Sequence, residues 1–160
     1  MKSLLVVRHA KSSWESEAQR DFDRPLNDRG RRDAPMMADR LIARGIIPDL
    51  LVSSPAVRAK TTAELFASRF GVTNIFFKPE LYHAPSPIFY QVVGGLDDIA
   101  ATAAIFSHNP GITDFVSELT SVRVDNMPTC GIFAVRAPVD RWAEFRAAVK
   151  EFWFFDYPKA

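Results

Sequence analysis

Five polar side chains follow directly on predicted β-strands or lie at the start of the helices after them. They are Arg8, His9, Arg58, His108 and Asn109. The first strand, 3–7, contains four consecutive apolar residues, which is typical of a strand buried on both faces of a sheet. Two further predicted strands, 49–53 and 101–107, end just before the other side chains. Because the carboxyl ends of parallel strands lie at one edge of a sheet, we expect all five side chains to meet there.

Two arginines and two helix N-termini at this edge indicate a site for an anion. With Ser54 as the cap of the second helix, Arg58 is the fourth helical residue, where a cation is disfavoured by about 0.3–1 kcal/mol unless an anion compensates. For Arg58 alone, an exposed arginine paired with a nearby carboxylate is the alternative. Together with Arg8, the pattern favours a phosphate site, because guanidinium forks and helix N-termini both bind phosphate oxygens.

His9 is the candidate nucleophile of this site. A neutral imidazole, whose reference pKa is about 6.5, is a good nucleophile at neutral pH. Its attack on phosphorus requires that the phosphate charge is neutralised and its oxygens are held, which two arginines and a second histidine can do. The leaving group also needs a proton, so a carboxylic acid is expected nearby. The pattern therefore indicates phosphoryl transfer through a covalent intermediate.

A metal site is the weaker interpretation of the three histidines. Two arginines in the same pocket would repel a divalent cation, and the sequence contains no His-Glu-x-x-His motif. The third histidine, His83, lies in a proline-rich segment and is expected at the surface or at the rim of the pocket. We therefore expect no metal and no other cofactor.

The composition narrows the class of protein. With 160 residues, 48% of them hydrophobic, we expect a single domain over 1–160 with a sizeable core. A formal net charge of +1 argues against a nucleic-acid binder. A lone cysteine, Cys130, excludes an internal disulfide and a zinc site built on several thiolates. No apolar run approaches the roughly 20 residues of a membrane span. We expect a soluble cytoplasmic protein without a signal peptide.

Strands and helices alternate through the first 120 residues, which predicts an α/β fold. We expect three layers, α/β/α, around a mostly parallel sheet of about six strands, with the C-terminal strands adding an antiparallel edge. The segment 141–149 has no clear assignment. The connection 10–26 is long for a compact domain, and long loops are often functional.

Four segments, in this order, resemble the motifs of the histidine phosphatase superfamily, which has the phosphoglycerate mutase-like fold. They are Arg8-His9-Ala10, Arg24-Pro25-Leu26-Asn27-Asp28-Arg29-Gly30, Val52-Ser53-Ser54-Pro55-Ala56-Val57-Arg58-Ala59-Lys60-Thr61-Thr62 and Ser107-His108-Asn109-Pro110. The short chain and the sequence Arg-His-Ala-Lys-Ser-Ser-Trp at 8–14 most resemble the SixA-type phosphohistidine phosphatases.

This resemblance implies roles for the residues at the predicted sheet edge. It implies that His9 is phosphorylated during the reaction and that no metal takes part. It further implies that Arg8, Arg58 and His108 hold the phosphate and that Asn109 borders the pocket.

The proton donor has two candidates. Many relatives carry a glutamate after the third strand, and Glu80 is similar to it. SixA-like members use an aspartate from the loop before the Arg-Pro-Leu motif, and Asp21 is the matching position. We favour Asp21 and keep Glu80 as the alternative.

Three functions are compatible with these residues. The first is a phosphatase of protein phosphohistidine, whose partner would be a phosphorylated protein such as a histidine-containing phosphotransfer domain. The second is a phosphatase of a small phosphate ester, and the third is a non-catalytic phosphate-binding scaffold. The segment between Phe77 and Ala101 is short, which predicts an open pocket without a helical lid and favours the first function. Lys11, Trp14 and Tyr82 are candidates for the rim of that pocket.

Overall fold

A computed structural model describes residues 1–14 and 19–159. Positions 15–18 of the predicted loop 10–26, and residue 160, lie outside the described residues. The described part contains one six-stranded sheet of order β3-β2-β4-β1-β5-β6. Its strands are β1 (Lys2–Arg8), β2 (Leu50–Ser53), β3 (Ile75–Phe77), β4 (Thr102–Ser107), β5 (Ile132–Ala137) and β6 (Glu151–Asp156).

The sheet is parallel on one side and antiparallel on the other. β1 pairs in parallel with β4, β4 with β2, and β2 with β3. β5 runs antiparallel to β1, and β6 antiparallel to β5. The mostly parallel sheet with an antiparallel edge is therefore confirmed.

Helices cover both faces of the sheet. The α-helices of the described residues are α1 (Asp28–Ala43), α2 (Val57–Phe70), α3 (Ser86–Gly94) and α4 (Gly111–Leu119). Alternate residues of β1 point to opposite faces. Leu4 and Val6 join a core cluster with α3 and α4, whereas Leu5 and Val7 join a second cluster with α1 and α2. This arrangement is the predicted three-layer α/β/α architecture.

Several segments differ in detail from the prediction. The unassigned segment 141–149 holds a 3₁₀ turn, Trp142–Glu144, whose Trp142 is fully buried in the core. A second 3₁₀ turn, Asp21–Asp23, interrupts the long loop. Pro35 lies inside α1 without ending it, and the side chain of Asn27 caps that helix as expected, accepting a hydrogen bond from the amide of Gly30 at 2.9 Å. No helix in the described ranges has both the length and the apolar character that a membrane span requires.

Gly30 fixes the path of the chain just after His9. A Cβ atom at this position would lie 2.2 Å from the carbonyl oxygen of Lys11, which no side chain tolerates. The close contact brings the start of α1 against the backbone that leaves β1. Steric exclusion of a side chain by the Lys11 backbone thus explains why a glycine stands at this position of the Arg-Pro-Leu motif.

We expect Gly30→Ala to destabilise the protein by about 1–3 kcal/mol, because the Lys11 backbone must move to admit the new carbon. The matched control is Gly94→Ala in α3, where a Cβ would meet nothing within 4 Å. That change should stabilise the helix by about 0.5–1 kcal/mol. Urea denaturation of the three proteins measures both effects. Equal stability of the two variants would contradict the steric role of Gly30.

Candidate active site

The predicted strand ends meet at one edge of the sheet. Arg8 is in register with Ser107 on β4, and Ser53 of β2 is in register with Phe106. A cavity of about 350 Å³ opens at this edge. It is lined by Arg8, His9, Lys11, Ser12, Asp21, Arg24, Arg58, His83, His108, Asn109, Pro110 and Thr129.

Three separate elements hold the backbone around His9. The His9 amide donates to the carbonyl of Ser107 at the end of β4, at 3.1 Å. The amide of Cys130, just before β5, donates to the His9 carbonyl at 3.0 Å. The amide of Ala10 donates to the Thr62 hydroxyl on α2 at 2.9 Å. The strand end is therefore fixed on both sides and from the helix above.

The His9 ring presents an unprotonated nitrogen to the cavity. Its Nδ1 lies 2.7 Å from the Ala10 carbonyl oxygen, which is an acceptor, so Nδ1 carries the ring proton. Nε2 makes no hydrogen bond to the described part of the chain. Burial, with the charges of Arg8 and Arg58, lowers the pKa of His9 to about 3, although the bond to Ala10 acts in the opposite direction. The imidazole is therefore neutral at physiological pH, as a nucleophile must be.

His108 lies beside His9, with 5.3 Å between the ring centroids. Its Nε2 is 2.7 Å from the Ser54 hydroxyl oxygen, which also accepts a hydrogen bond from the Ala56 amide at 3.3 Å. We infer that Ser54 donates its hydroxyl proton to Nε2, which leaves the ring proton on Nδ1. Nδ1 is buried and has no hydrogen-bond partner within 1–14 and 19–159. Burial, followed by the nearness of His9 and Arg58, lowers the pKa of His108 to about 2.

The start of α2 differs from the prediction. The helix begins at Val57, so Arg58 is its second residue rather than its fourth, and Ser54 is not its cap. The flanking residue, Ala56, has no side chain that could cap the helix. Ser54 instead binds His108. Arg58 is consequently closer to the positive end of α2 than expected, and it is 95% buried. A cation at this position needs a compensating anion, and the Asp21 carboxylate supplies one at 3.0 Å, as the alternative interpretation of Arg58 expected, although Arg58 is buried rather than exposed.

Asp21 occupies the guanidinium fork of Arg58. Arg58 donates from Nη1 to the Asp21 carbonyl oxygen at 2.7 Å and from Nη2 to its Oδ2 at 3.0 Å. The Tyr82 hydroxyl donates to the same Oδ2 at 2.7 Å, and Arg24 donates to Oδ1 at 3.2 Å. The carboxylate is thus bound by two cations and a phenol.

These contacts keep Asp21 ionised. Partial burial raises its pKa, but the hydrogen bonds from Tyr82 and Arg58, the charge of Arg58 and the bond from Arg24 outweigh that effect and lower the pKa to about 2. Tyr82 shows the reciprocal change, because burial and the neighbouring carboxylate raise the pKa of its hydroxyl. Without substrate, Asp21 is a hydrogen-bond acceptor and not an acid.

Arg8 supplies a second guanidinium to the cavity. Its Nη1 donates to the Met127 carbonyl at 2.8 Å, while its Nε is buried without a hydrogen-bond partner among the described residues. Burial and the repulsion of Arg58 lower the pKa of Arg8. Asp21 pairs with Arg58, whereas no described carboxylate forms an ion pair with Arg8. The oxygens of a phosphoryl group would give Arg8 an anionic partner.

The other predicted site residues have different positions. Asn109 lines the cavity, but its side chain binds the Met127 carbonyl at 3.1 Å and the Asn126 side chain at 2.9 Å. Glu80 is exposed and lines a separate depression, so it does not join the other candidates. His83 is exposed at the rim, as expected.

Two residues make contacts in the site that the sequence did not assign to them. Tyr82, predicted at the rim, anchors Asp21 by a hydrogen bond. Arg24, quoted only as part of a motif, binds Asp21 and donates to the Ser12 hydroxyl at 2.7 Å. Its guanidinium also lies 3.9 Å from the ring centroid of the exposed Trp14. Within 1–14 and 19–159, no three His, Cys, Asp or Glu side chains lie close enough together to hold a metal ion.

Two buried neutral histidines make stability depend on pH. In the unfolded chain each binds a proton below about pH 6.5, whereas in the folded protein His9 resists protonation until about pH 3 and His108 until about pH 2. Stability is therefore complete above pH 6.5 and is lost as the pH falls below it. Between pH 7 and pH 5 we expect a loss of up to about 2 kcal/mol for each histidine.

Urea denaturation at the two pH values measures this loss. The range lies above the pKa of Asp21, so that residue contributes little to the change. In the control variant His108→Asn the dependence should be smaller. Equal stability of the wild-type protein at pH 7 and pH 5 would contradict burial of neutral imidazoles.

Comparisons with known proteins agree with this geometry. The family described as "Histidine phosphatase superfamily (branch 1)" matches residues 4–82. An uncharacterized chloroplastic protein of Arabidopsis thaliana is 29% identical over 154 residues, covering 89% of this chain and 70% of that protein. The matched family segment includes Arg8, His9, Asp21 and Arg58.

Solved structures share the fold over nearly the whole chain. A SixA structure from Agrobacterium tumefaciens has a TM-score of 0.84 at 24% identity, covering 98% of both chains. A protein histidine phosphatase SixA complexed with tungstate has a TM-score of 0.82 at 20% identity, covering 98% of this chain and 97% of that one. A mycobacterial glucosyl-3-phosphoglycerate phosphatase has a TM-score of 0.71 at 17% identity, covering 99% and 100%. The segment that holds the two arginines and the first histidine thus matches the histidine phosphatase superfamily, and the chain shares the fold of these solved structures.

Proposed function

We propose that this protein removes phosphate from phosphohistidine on other proteins, through a phosphoenzyme formed on His9. The observation that carries the proposal is one cavity that brings His9 and His108 together with Arg8 and Arg58. The leaving group then favours phosphohistidine, because Asp21, the candidate acid, has a pKa of about 2 before phosphate binds. A phosphorylated imidazole needs little help, because its free ring nitrogen takes a proton from water near neutral pH. An alcohol leaving group has no such basic atom and depends on an acid.

The proposed reaction has two steps. In the first, the lone pair of His9 Nε2 forms a bond to phosphorus while the bond from phosphorus to the leaving imidazole breaks, and the leaving ring departs protonated and neutral. In the second, water attacks the phosphorus, the bond to His9 breaks, and phosphate is released. Arg8 and Arg58 neutralise the charge of the phosphoryl oxygens in both steps, and the Nδ1–H group of the neutral His108 donates a hydrogen bond to them.

Phosphate binding would also change Asp21. The phosphoryl oxygens compete with its carboxylate for Arg58, and their negative charge repels it, so the pKa of Asp21 rises towards neutrality. Asp21 would then be able to donate a proton to a leaving group, and we assign it, rather than the remote Glu80, as the proton donor. Asn109 borders the phosphoryl group and fixes the 126–127 loop.

The access to the cavity supports a protein substrate. No residue of α3 lines the cavity, and Phe89, Val92 and Val93 of that helix are buried against the sheet. α3 therefore belongs to the core layer and does not cover the cavity, to which the segment between β3 and β4 contributes His83 at the rim. A phosphorylated side chain on the surface of another protein can reach an opening of this kind. One SixA relative of the same fold is named as a protein histidine phosphatase.

A substrate comparison tests the proposal. A histidine-containing phosphotransfer domain, phosphorylated on histidine, is compared with a panel of sugar, glycerate and nucleotide phosphates by kcat/KM, with His9→Ala as the blank. We expect the phosphoprotein to be preferred by at least tenfold. Preference for a small ester would instead support a metabolite phosphatase, and no turnover of any substrate would support a phosphate-binding scaffold.

Asp21→Asn should separate the two classes of leaving group. For a phosphate monoester we expect kcat to fall by about 10²–10⁴-fold, because the alkoxide leaves without its proton. For phosphohistidine the fall should be severalfold. The matched control is Asp23→Asn in the same 3₁₀ turn, whose carboxylate pairs with the exposed Arg20 at 2.9 Å. An equal effect on both substrates, or an effect only in Glu80→Gln, would reassign the donor.

A further inference from the structure

A second cavity of about 210 Å³ adjoins the phosphate cavity. The two share His83, His108, Asn109 and Pro110. A molecule whose phosphoryl group lies against His9 therefore extends past a common wall into this second space. At about 30 Å³ for each water, the space holds roughly seven waters, which is enough for the end of a long side chain.

The two cavities differ in charge. Among the described residues, three arginines, a lysine and one carboxylate line the phosphate cavity. No described arginine or lysine lines the second cavity, and Asp114 is its only carboxylate within that part of the chain. Asp114 is exposed, and no ion pair to a described residue engages it. The site thus has a cationic end for the phosphoryl group and an anionic end without a partner.

The walls of the second cavity are held in place. A Cβ at Gly111 would lie 1.8 Å from the Ala84 carbonyl oxygen, so the start of α4 contacts the 84–85 segment directly. The next residues of α4, Ile112 and Phe115, are fully buried in the core. The position of the Asp114 backbone relative to the phosphate cavity is therefore set by the fold.

We propose that the second cavity binds a lysine or arginine side chain adjacent to the phosphorylated residue of the substrate protein. This inference rests on the proposed function and specifies its substrate class as phosphohistidine with a basic neighbour. Asp114 lies in the first turn of α4, where a carboxylate also interacts favourably with the helix dipole. The interaction with the helix dipole does not depend on the substrate. Selectivity among peptides therefore distinguishes binding of a basic side chain by Asp114 from stabilisation of α4.

The test uses three peptides phosphorylated on the same histidine, in which the neighbouring residues are lysine, glutamine or glutamate. The wild-type protein should hydrolyse the lysine peptide with about twofold to fivefold higher kcat/KM than the glutamine peptide, as expected for a solvent-exposed ion pair. The glutamate peptide should be the slowest. The preference should decrease as salt is added, because the pair is open to solvent.

Two variants assign the preference to this cavity. Asp114→Asn should bring the lysine and glutamine peptides within a factor of about 1.5 of each other. Asp114→Lys should favour the glutamate peptide. The matched control is Glu118→Gln. Glu118 is exposed and lies one turn further along α4, outside the cavity lining. This variant should retain the wild-type preference.

Each outcome has a distinct meaning. Equal turnover of the three peptides by the wild-type protein would overturn the cationic subsite while leaving the phosphohistidine phosphatase intact. A preference that persists in Asp114→Asn, or that is lost equally in Glu118→Gln, would show that the basic residue binds elsewhere. Absence of turnover with every peptide would overturn the proposed function itself.

Discussion

The His9→Ala variant should lose turnover by about 10³–10⁶-fold and should no longer acquire a covalent phosphate, because the nitrogen that accepts the phosphoryl group is gone. The wild-type ring is buried, neutral and held with Nε2 free. The measurement is rapid-quench labelling with a phosphate-labelled substrate. The trapped label should survive alkali and be lost in acid, as phosphohistidine is.

The comparison variant is His108→Ala. It removes a neighbouring imidazole of similar burial, but it keeps the proposed nucleophile. We expect slow labelling at His9 with a large fall in rate. If His9→Ala still acquired label, or if the label in the wild-type protein were stable in acid, another residue would be the nucleophile.

Arg58→Ala should lower kcat/KM by about 10²–10³-fold, since one of the two guanidinium groups that face the phosphoryl oxygens is removed. The same change deprives Asp21 of its two bonds from the guanidinium. The pKa of Asp21 should rise, because a charge that holds it down is lost. Steady-state kinetics with the phosphohistidine substrate, together with binding of tungstate as a phosphate mimic, measures the effect.

Two further variants separate charge from geometry. Arg58→Lys keeps the positive charge but loses the planar fork, so its activity should lie between those of the wild type and Arg58→Ala. Arg69→Ala removes an exposed arginine in the last turn of the same helix, at 3.8 Å from Asp39, and should be nearly neutral. Full activity in Arg58→Ala, with the fold shown intact by thermal denaturation, would remove Arg58 from the site.

The sheet edge could be predicted because its signals are local. Two local signals define where the parallel strands end. Apolar runs stop at Arg8 and at Ser107, and prolines precede the helices that follow β2 and β4. Parallel pairing then forces those ends together, so the cavity contains Arg8, His9, Arg58 and His108. The strand order and the antiparallel β5 follow from tertiary packing, and the sequence indicated them only coarsely.

The contacts of Asp21 could not be predicted from the sequence. They depend on how a long loop folds back over α2 and on the chain after β3, which brings Tyr82 to the same carboxylate. The role of Ser54 could not be predicted either. A serine before a proline is typical of a helix cap, and the sequence predicted that role. Here the side chain binds His108 on another strand, because tertiary packing places that ring within 2.7 Å. Glu80 is the opposite case. Its place in the sequence, after β3, suggested a site residue, but its side chain lines a separate depression.

The hydrogen bonds around His9 limit which parts of the site can move. Its backbone is joined to Ser107, Cys130 and, through Ala10, to Thr62. A shift of the His9 backbone would therefore break bonds to β4, to the residue Cys130 before β5 and to α2 at once. The Asp21 carboxylate, by contrast, accepts its hydrogen bonds in the described part of the chain from the side chains of Arg58, Tyr82 and Arg24. For the proposed reaction we therefore expect His9 to stay stationary through each catalytic cycle, while the incoming phosphoryl group and the displaced Asp21 carboxylate move.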